Sequence, residues 1–187
     1  MEALTNVFSA FGLSSAAGLN AYLPLLVVAL TARFTNLIQL NEPWDVLTSW
    51  WVIGVLVLLL VIEMTVDKVP AVDTINDGIN TFIRPVAGAI LFAASSGAVG
   101  DVHPVLAIIC GLLVAGGVHA VKATARPVVT ATTGGLGNWL VSLSEDVVSF
   151  VTAVLAILVP VFLVFLMLLF VLLLAWWWSK RRTRHAG

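Results

Sequence analysis

Charge is what this 187-residue sequence has least of: 10% of its residues are Asp, Glu, Lys or Arg, where a soluble domain carries about 25%. A single cysteine, Cys110, sits in an apolar run, which excludes a disulfide framework or a cysteine metal site and leaves a small packing residue. The three histidines are His103, His119 and His185, and neither GxSxG nor HExxH is present. Hydrolase and metalloprotease chemistry therefore has no motif to rest on, and neither an enzyme nor a cofactor is expected. No polar stretch is long enough for a separate soluble domain, and nothing points to nucleic acid. The opening residues, MEALTNVFSAFG, lack the basic start of a signal peptide, so the first apolar segment is expected to be retained.

What is present is oil. The composition is 60% hydrophobic, with a mean hydropathy of +1.08. This predicts an all-α, polytopic helical protein of the lipid bilayer, with one transmembrane domain over 1–179 and a basic tail over 180–187. Apolar runs place segments at about Phe11–Ala32, Trp50–Val66, Val72–Gly97, Pro104–Ala123, Pro127–Leu143 and Val147–Trp178. The first holds Pro24 near its centre. The fifth, about 17 residues, is at the lower limit for a span. The sixth would reach roughly 48 Å if straight, so it must tilt, kink at Pro160 or project.

Charge arbitrates the topology. With Lys180, Arg181, Arg182 and Arg184 in the cytoplasm, six spans put Lys68, Lys122 and Arg126 inside. Glu42, Asp45, Asp101, Glu145 and Asp146 then fall outside, and only Arg33 dissents. Both termini are expected to be cytoplasmic.

Three stretches resemble one another: GLNAYLP at 18–24, GINTFIRP at 78–85 and GLGNWL at 135–140. Read as a repeat, they predict three hairpins around a shared axis, converging Asn20, Asn80 and Asn138. The alternative is chance likeness between apolar segments. Small residues at every fourth position mark helix contacts: Ala10, Ser14 and Gly18; Ala89, Ala93 and Gly97; Ala107, Gly111 and Ala115.

The polar residues concentrate between Ile62 and Pro85, where Glu63, Asp67, Asp73 and Asp77 meet Lys68 and Arg84. Glu63 lies twelve residues beyond Trp51, roughly 18 Å into a core of about 30 Å. Buried charge in a bilayer persists only with partners or water. A turn at Pro70 brings Glu63 level with Asp77 and lets Arg84 reach toward it, while a second turn at Pro127 carries His119, Lys122 and Arg126. Three uses of these groups are open. Glu63 and Asp77, with Asn20 and Asn80 nearby, suit the passage of a cation or proton, with Arg84 as a tethered countercharge. Arg84, Lys122 and Arg126 suit an anionic lipid head group. A structural ion-pair lock needs neither, with Lys68 and Asp73 capping helix ends. As a metal site, Glu63, Asp67, Asp73, Asp77 and His119 match no ligand spacing.

GLNAYLP and the pattern ExxxDKVPxxD, from Glu63 to Asp73, resemble a family of small bacterial membrane proteins catalogued as a domain of unknown function, number 4126. The resemblance covers about residues 8–160. It implies the polytopic helical fold and attention to Gly18, Asn20, Pro24, Glu63, Asp67, Lys68, Pro70 and Asp73, and it implies no activity. The expectation is a bacterial inner-membrane protein, homo-oligomeric, acting as a small channel or transporter for a cation or proton through a site open to the cytoplasm. A non-transporting scaffold or a binder of anionic lipid is the alternative.

Overall fold

The computed structural model describes residues 2–66, 70–96, 102–134 and 137–158. Asp67, Lys68, Gly97, Asp101, the Pro160 kink and the basic tail lie outside them. Among the described residues the chain is all-helical: α1 Glu2–Leu19, α2 Tyr22–Phe34, a 3-10 turn at Trp44–Thr48, α3 Trp50–Val66, α4 Pro70–Ser96, α5 Pro104–Thr133 and α6 Asn138–Leu158. Three stretches among the described residues are long and apolar enough to cross a membrane, Gly78–Ser95, Pro104–Thr133 and Asn138–Leu158. Large apolar side chains point outward all round the bundle, among them Trp51, Phe82, Leu113 and Val121.

Two boundaries differ from the sequence expectation. The first segment is not one helix but two, broken at Asn20. Pro24 is the cause: it has no N–H to give the carbonyl of Asn20, four residues back, and its ring crowds that carbonyl. The Asn20 side chain completes the break, its Oδ1 accepting from the backbone N–H of Tyr22 at 3.1 Å and of Leu23 at 2.9 Å, which is how a helix start is capped. The second difference is at Pro127, which does not turn the chain. Helix α5 runs through it to Thr133 and stops at Gly134, whose φ of 61° is the left-handed conformation glycine adopts at low cost. Residues 127–143 therefore form no span of their own: they are the end of α5 and the start of α6.

Helix α1 is the hub, packed against α4, α5 and α6, while α4 and α5 make the most extensive pair. The pairing is close because it is made by glycine. A Cβ on Gly111 would fall 2.5 Å from the carbonyl oxygen of Gly88 and 2.6 Å from the Cα of Ala89, and one on Gly88 would overlap Ala115. Ala107, Gly111 and Ala115 are all buried, as the spacing of small residues predicted, and so are Ala10, Ser14, Ala89 and Ala93. Serines tie the hub to its neighbours through backbone carbonyls. Ser9 donates to Ala156 at 2.7 Å, Ser14 to Gly88 at 2.7 Å, and the α6 residue Ser149 to Ala16 at 2.9 Å. Lipid is as apolar as leucine, so such close packing and interhelical hydrogen bonds hold helices together in a bilayer.

The chain reverses at each connection. Asn20, just past the end of α1, meets Asp146, whereas Ser9, earlier in the helix, meets Ala156, so α1 is antiparallel to α6. Helix α2 leads back: Arg33, near its end, donates to Thr48, and Trp44 packs on the cluster of Ala10, Phe92, Ala93 and Ala107. Phe34 meets Trp50 edge-on, and Arg33 lies 4.2 Å over the Trp50 ring.

Candidate functional site

The buried face of α5 reads Ala107, Gly111, Ala115, His119, Lys122, Arg126, a single stripe at three- and four-residue spacing. Halfway along, it changes from small to ionisable. Facing it are Glu63 from α3, Asn80 and Arg84 from α4, the end of α1, and Asn138 and Glu145 from α6, whose buried face also carries Ser142, Asp146 and Ser149.

The first cluster joins α3, α4 and α5. Arg84, fully buried, donates from Nη2 to Glu63 Oε1 at 3.0 Å, and Asn80 Nδ2 donates to the same oxygen at 3.2 Å. The other end of the guanidinium, Nη1, lies 3.0 Å from His119 Nδ1. Arginine can only donate, so Nδ1 must be the accepting nitrogen, and a neutral ring then carries its hydrogen on Nε2. That nitrogen faces Thr81 Oγ1 at 3.1 Å. The backbone makes this geometry natural: Asn80 and Arg84 are one helical turn apart on α4 and present the same face to Glu63. The expected reach of Arg84 to Glu63 is what the structure has. Asp73 and Asp77 lie on α4, but their side chains are outside the described set.

The second cluster joins α1, α5 and α6. Lys122 Nζ donates to the carbonyl of Leu19 at 3.1 Å, in the last turn of α1, and pairs with Glu145 Oε2 at 2.8 Å. Arg126 Nη2 reaches the same carboxylate oxygen at 3.2 Å. Asn20 Nδ2 donates to Asp146 Oδ1 at 2.9 Å, and Thr130 Oγ1 to Asn138 Oδ1 at 3.0 Å. The expectation that placed Lys122 and Arg126 in a loop on one face, and Glu145 and Asp146 in a loop on the other, is thus overturned. All four are buried or nearly so: Lys122 and Arg126 meet Glu145 across α5 and α6, and the neighbouring Asp146 accepts from Asn20. Sequence reading mistook Pro127 for the turn and overlooked the stronger breaker, the GGLG at 134–137. With the turn there, Asn138, Ser142, Asp146 and Ser149 would have stood out as a polar stripe at helical spacing. Asn20, Asn80 and Asn138 are all buried, but each binds a different partner: Asp146, Glu63 and Thr130.

Among the described residues no group of three or more His, Cys, Asp or Glu is placed to hold a metal ion. The cluster chemistry is that of ion pairs and hydrogen bonds excluded from water. Removing both charges of such a pair from solvent is costly, so it is weak evidence of stability by itself, and it is strongly destabilising to leave one member alone.

The geometry thus defines a helical, membrane-like protein with a buried ionic layer. The family described as Domain of unknown function (DUF4126) matches residues 7–180, and the chain belongs to it. No curated protein and no solved structure matches the chain.

Proposed function

We propose that this is a multi-pass protein of the bacterial inner membrane that moves protons, with Glu63 and His119 as exchanging groups and Arg84 as the tethered countercharge. The observation that carries this reading is the buried His119, bonded to Arg84 on one ring nitrogen and Thr81 on the other. Glu63 is 2% exposed and Arg84 0%. A hydrated inorganic cation needs water around it, whereas a proton passes along hydrogen bonds. Ionisable side chains inside a membrane domain are costly and mark functional sites by default, proton relays among them. The basic tail from Lys180 to Arg184 supports the cytoplasm as the side of the C-terminus.

The balance of charge favours a second role, a non-transporting scaffold held by ionic locks. Arg84, Lys122 and Arg126 are matched by Glu63, Glu145 and Asp146 within the same layer. Proton flux into proteoliposomes under an imposed potential separates the two. The parent should acidify the lumen, and Glu63→Gln and His119→Gln, once shown to be folded by circular dichroism and gel filtration, should lose most of that flux. A parent with no flux above protein-free vesicles would sink the transport proposal and leave the scaffold.

A further inference from the structure

Beside the second cluster, residues of α1, α5 and α6 line an open cleft of about 380 Å³. Leu19, Val118, Val121 and Ala125 form apolar walls, and Lys122 and Glu145 supply its polar end. Val121 is 70% exposed, so the cleft opens on the outer surface of the bundle, where acyl chains lie in a bilayer. We propose that it binds an anionic phospholipid of the surrounding membrane, an acyl chain lying along the apolar walls and a phosphate oxygen accepting from Lys122.

Three observations point to that ligand. An ammonium has three N–H donors, and among the described residues Lys122 uses two of them, on Leu19 and Glu145. The side chain is only 3% exposed, so a third donor without an acceptor is costly, and it belongs to a residue that lines the cleft. Next, bonding capacity: Glu145 Oε2 already accepts from both Lys122 and Arg126, so that oxygen has little capacity left for the remaining Lys122 donor. Finally, depth. Lys122 is eighteen residues along α5 from Pro104, roughly 27 Å at 1.5 Å per residue, nearly the full thickness of a hydrocarbon core of about 30 Å. If Pro104 marks one boundary, the ammonium comes close to the other, at the level of lipid phosphates. Cationic pockets between transmembrane helices are a recurrent way to hold such head groups.

The inference rests on the bilayer reading but not on proton movement. First, the full-length protein is floated with phosphatidylcholine vesicles. Failure to float would remove the bilayer reading and this proposal together. Second, the thermal midpoint of detergent-purified protein is followed on adding phosphatidylglycerol, phosphatidylcholine or inorganic phosphate. Phosphatidylglycerol should raise it by roughly 5 °C at saturating excess, with the other two giving little. Lys122→Gln should lose the shift. Val121→Trp, which fills the cleft from an exposed position and leaves the ion pairs in place, should lose it as well, and it carries the test if Lys122→Gln does not fold. Equal shifts from the two lipids, or a shift that survives Val121→Trp, would overturn the proposal, and the same shift from inorganic phosphate would reassign the site to a free anion.

Discussion

One buried face of α5 holds two regions of the bundle together by opposite means. Toward Pro104 it offers Ala107, Gly111 and Ala115, and the partner helix comes so close that the contact is backbone to backbone. Beyond Ala115 it offers His119, Lys122 and Arg126, and the neighbours are reached by long side chains carrying charge. In the first region nothing can be added; in the second nothing can be taken away. Both answer one problem, that helices in lipid gain little from burying more hydrocarbon and must associate by packing or by polar contact. The small-residue region needs no partner chemistry and suits a rigid scaffold. The ionic region needs every partner present, and it is where protonation or a ligand can change the balance.

Substitutions that cut one region but not the other can break this comparison. The largest effect is expected from Arg84→Met, which strands the buried Glu63 carboxylate and takes the donor from His119. A loss of about 3 to 5 kcal/mol should appear in unfolding by SDS in mixed micelles. Adding Glu63→Gln should recover part of it, and a double variant as unstable as the sum of the singles would show that the pair is not coupled. Next is Gly111→Val, whose side chain must push α4 away from α5, at about 3 kcal/mol by the same assay. If Gly111→Val proves neutral, the close approach at Gly88 is not what holds that region. Asn20→Ala removes both the cap of α2 and the Asp146 partner, and about 1 to 2 kcal/mol is expected. Asn20→Asp should retain the cap while setting two carboxylates together, so the two variants separate capping from the bond to Asp146. Smallest is Ser14→Ala, one interhelical hydrogen bond to Gly88, at about 0.6 kcal/mol.

Much of the fold was legible because it rests on local pattern. Composition implied the helical class, Trp50–Val66 emerged with the ends its apolar run suggested, and the stripe of Ala107, Gly111 and Ala115 was readable from spacing. The Glu63–Arg84 bond was also within reach, because α4 begins only a few residues after α3 ends, a spacing that residue counting can follow. Proline was the consistent source of error. Pro24 was read as tolerated within a helix and instead ends one, while Pro127 was read as a turn and is carried inside a helix. A proline withholds one hydrogen bond, and whether the chain bends, breaks or continues depends on what else satisfies the freed carbonyl.

The sequence by itself determined what must be buried and how much of it is charged, since the cost of moving a side chain between water and oil is a property of the residue. It also set the helical class and the small-residue faces, through periodicities of a few residues. Only the tertiary structure decided which charges meet. Lys122 finds Glu145 and Leu19, and Asn20 finds Asp146, across separations of 103 and 126 residues for the two hydrogen bonds that involve the end of α1. An ion pair is set by distance in space, and here that distance depended on where α1 breaks and where α5 ends. Those two boundaries turn on the surroundings of Pro24 and Pro127, which become defined once the helices have packed.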